Sequence, residues 1–160
     1  MPLLDDPSDA RATVAAGAGP LLTSDELALI AQRVAADPPL HALAPDHARR
    51  WVLAERGEHH DAWLIAWPAG TGLAMHDHRG SRAALRIVAG ELRERYVTDA
   101  REVAVRWLSP GTSVELGADH VHEVVNVGEG EAISVHVYSP PITDAGFRTD
   151  PDLEIGPRRT

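Results

Sequence analysis

The sequence predicts an all-β sandwich or barrel preceded by one short helix. Three observations carry that expectation. From about Arg49 onward the apolar residues recur with period two, in short runs such as DAWLIAWPAG, SRAALRIVAG and AISVHVYS. Turn signals separate the runs, among them Arg56-Gly57-Glu58, Ala69-Gly70, Ala89-Gly90, Pro110-Gly111 and Gly128-Glu129-Gly130. The stretch with helical spacing lies ahead of all of them. Many short strands at this spacing need a second layer to bury their apolar faces, which is the all-β solution. At 160 residues the chain is most simply one domain, long enough to bury about two-thirds of its unfolded surface.

In chain order, residues 1–20 are rich in Ala, Gly, Asp and Pro and read as a loose arm. Thr23 is a suitable N-cap, and Glu26 three residues later completes a capping box. Leu27, Ile30, Ala31 and Val34 follow at helical spacing, and Asp37-Pro38-Pro39 stops the helix because proline cannot continue it. This helix is expected to pack on the outside of the β structure and to carry no chemistry. The single domain is expected over residues 21–145. Residues 146–160, polar and with Pro151 and Pro157, are expected to form a tail that lies over the surface or is mobile.

Composition narrows the function. Hydrophobic residues make up 44% and charged ones 24%, as in an ordinary soluble domain. A net charge of −9 argues against a nucleic-acid backbone or an anionic membrane as partner. There is no Cys, hence no disulfide, thiolate ligand or cysteine nucleophile. All 15 basic residues are Arg, which rules out Schiff-base chemistry on a lysine amine and hints at a GC-rich, bacterial coding sequence. The first residues, MPLLDDPSDA, lack the basic and apolar regions of a signal peptide, and no apolar run of membrane-spanning length exists, so the expected compartment is the cytoplasm.

The chemistry centres on GTGLAMHDHRG. In an extended segment His76 and His78 project from one face, because side chains alternate, and two imidazoles so placed form half of a divalent-metal site. A chain with nine histidines can produce this spacing by chance, so the second motif matters. Downstream, HEVVN offers His122 with Asn126, the only Asn, four residues on. The pattern G-x5-H-x-H followed by H-x3-N resembles the two metal motifs of the cupins, and that resemblance implies a jelly-roll-like β-barrel. Gly70 stands at the usual five-residue gap before His76, and Gly90 closes the hairpin. Where many cupins carry a Glu ligand this chain has Arg82 and Ala83, so a metal site here would be a three-histidine site with open positions. His120 shares strand parity with His122. The H-x3-N spacing selects His122 and leaves His120 as a neighbour. His41, His47, His59 and His60 read as solvated surface, and Arg86 with residues 93–95 as a solvated or interface face.

In AISVHVYSPP, Ser134, His136 and Tyr138 alternate on one face while Val135 and Val137 take the other. Hydrogen-bonded in series, they would fix the phenol at the mouth of a metal site. Ser139-Pro140 is a candidate cis bond. With HDH and HEVVN ahead of it, SVHVYSPP makes the segment from Arg50 to Pro141 resemble the cysteine dioxygenase family of cupin-type thiol dioxygenases. The resemblance implies Fe(II) held by His76, His78 and His122, with Ser134, His136 and Tyr138 as the catalytic row. It also implies Tyr138 and an arginine on the strand before the first motif as substrate-binding groups. Counting back along that strand places Arg50 there, with the adjacent Arg49 facing the other way. Mercaptopropionate-specific relatives carry Gln at that position, whereas the only Gln here, Gln32, lies in the helix. Ala83 occupies the position from which animal members join a Cys to the tyrosine, so that cross-link cannot form. The expected activity is oxidation of L-cysteine with O2 to cysteine sulfinic acid, by a monomer or small homo-oligomer. The alternatives are a dioxygenase for another small thiol such as 3-mercaptopropionate, a cupin that binds metal or ligand without redox activity, and a non-redox metal isomerase.

Overall fold

Strand Asp61–Trp67 is buried along its whole length, although its residues alternate between two faces. That is possible only if both faces are covered, and the computed structural model shows by what. It describes residues 21–142 and the backbone of residues 154–155. The expected arm over residues 1–20 and most of the expected tail lie outside the described residues.

The elements are α1 (Ser24–Ala36), a 3-10 turn at Leu40–Ala42, and ten strands. The strands are β1 Arg50–Arg56, β2 Asp61–Trp67, β3 Gly72–His76, β4 Arg82–Ala89, β5 Leu92–Val97, β6 Val103–Leu108, β7 Ser113–Leu116, β8 His122–Val125, β9 Ala132–Ser139 and β10 Glu154–Ile155. They form two five-stranded sheets, ordered β1-β2-β9-β4-β7 and β10-β3-β8-β5-β6. Every strand pair is antiparallel, from β1–β2 at one edge to β5–β6 at the other. The sequence expectation of an all-β, jelly-roll-like barrel with one short helix therefore holds.

The alternation of β2 divides the core in two. Trp63, Ile65 and Trp67 point into the barrel, where they meet Leu85 and Ile87 of β4 and Leu92 and Val124 of the opposite sheet. Ala62 and Leu64 point outward and pack, with Ala84, Val135 and Val137, against Leu27, Ala31 and Val34 of α1. Bulk sits inside and small side chains lie under the helix, which lets α1 approach the sheet closely. The helix starts as its sequence requires. Thr23 Oγ1 accepts from Glu26 N at 3.2 Å, and a Glu26 carboxylate oxygen accepts from Thr23 N at 2.7 Å. At its far end Arg33 makes a forked pair with Glu55 of β1, with contacts of 2.6 and 2.7 Å. The β4–β5 hairpin turns at Gly90 (φ 72°), where a Cβ would stand 2.7 Å from Ala132 Cα. The Ser139–Pro140 bond is cis.

Because α1 covers the outside of the barrel, its packing should support stability without touching the interior. Leu27→Ala, at a fully buried position, should cost about 2–4 kcal/mol in urea unfolding. The folded fraction should keep its full metal-binding capacity.

Candidate metal centre and polar interior

The first histidine motif ends β3 and the second begins β8, and the two strands pair so that His76 stands opposite His122. His78 lies two residues beyond β3, and the chain turns back at once through Arg79 (φ 53°) and Gly80 (φ 89°). The three rings converge, with centroids 5.2 Å apart for His76–His78, 4.7 Å for His76–His122 and 4.9 Å for His78–His122. One nitrogen from each lies within 4.8 Å of the others.

Hydrogen bonds set the tautomers of two of the rings. His76 Nδ1 is 2.5 Å from Ala74 O, and His122 Nδ1 is 2.7 Å from Glu94 Oε1. A carbonyl and a carboxylate only accept, so both Nδ1 atoms carry hydrogen and both Nε2 atoms keep a lone pair. His122 Nε2 lies 3.1 Å from His78 Nε2. Burial pushes the His76 pKa down to about 3, assisted by the neighbouring His122, and pushes His78 well below its ordinary value. Burial also lowers His122, against the pull of Glu94. The rings are thus neutral near pH 7, the state a metal ligand requires. Three neutral imidazoles without a carboxylate fit a divalent first-row metal with coordination positions left over.

His120 occupies a different environment. Its Nε2 lies 2.9 Å from Glu94 Oε1, and its ring stacks on Tyr96 at 5.7 Å. Glu94 therefore receives both His120 and His122 on one oxygen, while Arg106 pairs with the other. Burial by itself would raise the Glu94 carboxyl, but the three donors together hold it well below the usual carboxylate range. Glu94, His120 and His122 also lie close enough to form a metal-ligand group. The Arg106 cation on the same carboxylate opposes a second cation there.

The Ser-His-Tyr row of β9 faces the barrel interior as its alternation predicts. Trp67 Nε1 donates to Ser134 Oγ at 2.8 Å, Ser134 Oγ lies 2.8 Å from His136 Nε2, and His136 Nδ1 lies 3.1 Å from the Tyr138 hydroxyl. The indole is a donor only, and burial keeps His136 neutral. Ser134 Oγ accepts from Trp67, and the neutral His136 ring, with one hydrogen, links Ser134 to the Tyr138 hydroxyl as donor on one side and acceptor on the other. Tyr138 is 5.3 Å from the His78 ring, and burial, with Asp61 nearby, raises its pKa and keeps it protonated.

The structure places Arg50 on the face opposite to the one expected. Arg50 pairs across from Ala66, on the sheet face that α1 covers, and forks onto Glu131 at 2.8 and 3.1 Å. Arg49 is the one that enters the barrel: it is 6% exposed, with its guanidinium 4.8 Å from the Trp51 ring and 5.3 Å from the Trp67 ring. Its charge is felt at His76, His136 and Tyr138, secondary to burial at each. The cause is a register shift between Leu53 and Glu55. A one-residue bulge exchanges the two faces of everything before it, so parity counted through it selects the wrong arginine.

Three further interior groups escaped the sequence reading. Glu94 was grouped with Arg93 and Arg95 as solvated surface, yet it is fully buried. The signal was the alternation Leu92, Glu94, Tyr96, which puts Glu94 on the opposite face from its arginine neighbours. Trp67 supplies the donor that starts the hydrogen-bonded row. Asp61 pairs across from Tyr138 and is fully buried, so desolvation raises its pKa to about 6 against the Ile142 amide, Trp63 and the more distant charges of Arg56 and His60. Ala83 lies across from Tyr138 on the other side of β9. Ser81 Oγ donates to Pro140 O at 2.8 Å, closing the same end of the barrel.

Residues 35–147 match the family described as cysteine dioxygenase type I. No curated protein sequence matches the chain. Among solved structures, TT1209 from Thermus thermophilus is 25% identical, with a TM-score of 0.54 over 64% of this chain and 95% of its own. KdgF from a Halomonas species is 17% identical (TM-score 0.53, 61% and 85% covered). The cupin domain of Schizosaccharomyces pombe Cnp3 is 10% identical (TM-score 0.55, 68% and 72% covered). These likenesses fix the fold as that of the cupins. Among the described residues no helix is long and apolar enough to cross a membrane.

The raised Asp61 pKa has a consequence for stability. A carboxyl that holds its proton more tightly when folded contributes stability that is complete below its unfolded pKa and lost as pH rises through about 6. Asp61→Asn should therefore match the wild type in denaturant unfolding near pH 4 and exceed it near pH 8, by about 1–3 kcal/mol. Equal stability of the two proteins at both pH values would show that Asp61 ionises without penalty.

Proposed function

The chain belongs to the cysteine dioxygenase type I family, and on that premise we propose that it oxidises the thiol of L-cysteine with O2 to cysteine sulfinic acid, using Fe(II) held by His76, His78 and His122. The observation that carries the substrate reading is Arg49, a buried cation on the same interior as the three histidines and Tyr138. A substrate carboxylate matches the planar fork of its guanidinium, a match that a thiol without a carboxylate cannot make. The substrate-binding role expected of Arg50 thus passes to Arg49, with Tyr138 as its partner.

Each residue then has a task set by its surroundings. His76 and His122 present Nε2 because their Nδ1 atoms are bound elsewhere, so the ligand set is organised before metal arrives. When bound, Fe(II) supplies the redox chemistry that joins both atoms of O2 to the sulfur. Arg49 fixes the carboxylate end of the substrate, held in place by the Trp51 and Trp67 rings. Tyr138, polarised through His136, Ser134 and Trp67, donates its hydroxyl hydrogen to the reacting group. The apolar interior formed by Leu85, Ile87 and Leu116 keeps bulk water from the reacting groups. Ala83 leaves Tyr138 without a covalent tether, and the polar row helps to position the phenol. A metal isomerase or a simple binding barrel requires neither the buried arginine nor the hydrogen-bonded row.

Oxygen uptake by the iron-loaded protein with L-cysteine, 3-mercaptopropionate and cysteamine tests this reading. Cysteine should be the best substrate, and cysteamine, which lacks the carboxylate, a poor one. Arg49→Ala should raise KM for cysteine by the equivalent of about 2–4 kcal/mol. Arg49→Lys should recover only part of the loss, because an ammonium cannot fork. Arg50→Ala should stay within a few-fold of wild type, and a larger effect there, or a preference for cysteamine, would contradict the assignment.

Tyr138→Phe should keep its iron and lower kcat by about 10- to 1000-fold, the range of a lost catalytic hydrogen bond. Anaerobic iron titration beside single-turnover kinetics separates the two effects. Loss of iron in that variant would make the phenol a ligand or a structural support.

A further inference from the structure

We propose that Glu94 is a positioning residue for the metal centre: it fixes the tautomer and orientation of His122 and places a negative charge behind it, without touching metal or substrate. The inference rests on the reading of His122 as a ligand and goes beyond it. Glu94 is fully buried on the inward row of β5. Its Oε1 accepts from His122 Nδ1 at 2.7 Å, and the opposite nitrogen of that ring, Nε2, is the one directed at His78. A carboxylate in line behind an imidazole fixes which nitrogen ligates and makes that nitrogen a better donor.

The carboxylate is itself held. Arg106 pairs with Oε2, and His120 Nε2 lies 2.9 Å from Oε1. Arg106 in turn lies over the Tyr96 ring at 4.5 Å, and His120 stacks on the same ring. Register supports this arrangement: Glu94 stands across from Arg106 on β6 and Val124 on β8, and Tyr96 stands across from His122. A buried carboxylate needed only to balance Arg106 would have no reason to direct its other oxygen at a ring of the metal group.

The test uses the full chain with Co(II), whose d–d bands report ligand geometry, in competition with a chelator. Glu94→Gln keeps the size of the side chain and removes the charge. It should weaken Co(II) binding by about 10- to 100-fold and shift the bands, while Glu94→Asp should recover part of both. His120→Ala should change affinity by less than about three-fold. A purely structural role would lower stability but leave affinity and bands unchanged, and that result in Glu94→Gln would overturn the proposal. Binding of two Co(II) per chain would also overturn it, by making Glu94 a ligand in a second site with His120. The wild type offers a check that needs no variant. In 15N-histidine NMR of the metal-free protein, His122 should carry hydrogen on Nδ1, and hydrogen on Nε2 would count against the inference. His122→Ala separates the two levels of the argument: undiminished Co(II) binding there would mean that the ligand assignment itself fails, whatever Glu94 does.

Discussion

Everything at this site depends on placing uncharged imidazoles inside the barrel so that both ring nitrogens of His76 and His122 have defined tasks. A buried histidine whose nitrogens lack partners is expensive, and a buried protonated one more so. The protein resolves this by giving Nδ1 of His76 a backbone carbonyl and Nδ1 of His122 a carboxylate, which leaves Nε2 of both rings for the shared space beside His78. The β3–β8 pairing that sets His76 across from His122 is therefore the contact on which the centre depends. A register slip of one residue there would turn His122 out of the barrel.

The second layer of organisation is the hydrogen-bonded row on β9. It starts at an indole that can only donate and ends at a phenol. It joins β2 to β9 through the same register that packs Trp63 and Trp67 into the core. Core packing and the orientation of Tyr138 are thus set by one pair of strands, and α1 shields that pair from solvent on its outer face. Arg49, just ahead of β1, completes the interior, with its guanidinium over the Trp51 and Trp67 rings.

Much of this was legible in the sequence. The helix follows from its capping box and apolar spacing, and the strands follow from period-two runs broken by glycine and proline. His76, His78 and His122 come together as two short motifs imply, because local spacing fixes which face a side chain takes. Arg49 was not legible, because a bulge between Leu53 and Glu55 leaves no mark in the residue pattern and inverts every parity before it. Glu94 was legible in principle, since it alternates with Leu92 and Tyr96, but its two arginine neighbours disguise it as surface. The depth of Asp61 depends on what the far end of the barrel packs against it, which no local signal encodes.

The proposed reaction adds both atoms of O2 to the sulfur of L-cysteine. The most direct measurement is mass spectrometry of the product formed from L-cysteine under 18O2 by the iron-loaded protein. Cysteine sulfinic acid carrying two labelled oxygens is the predicted result. A product with one label or none, or cystine formed without oxygen incorporation, would contradict it.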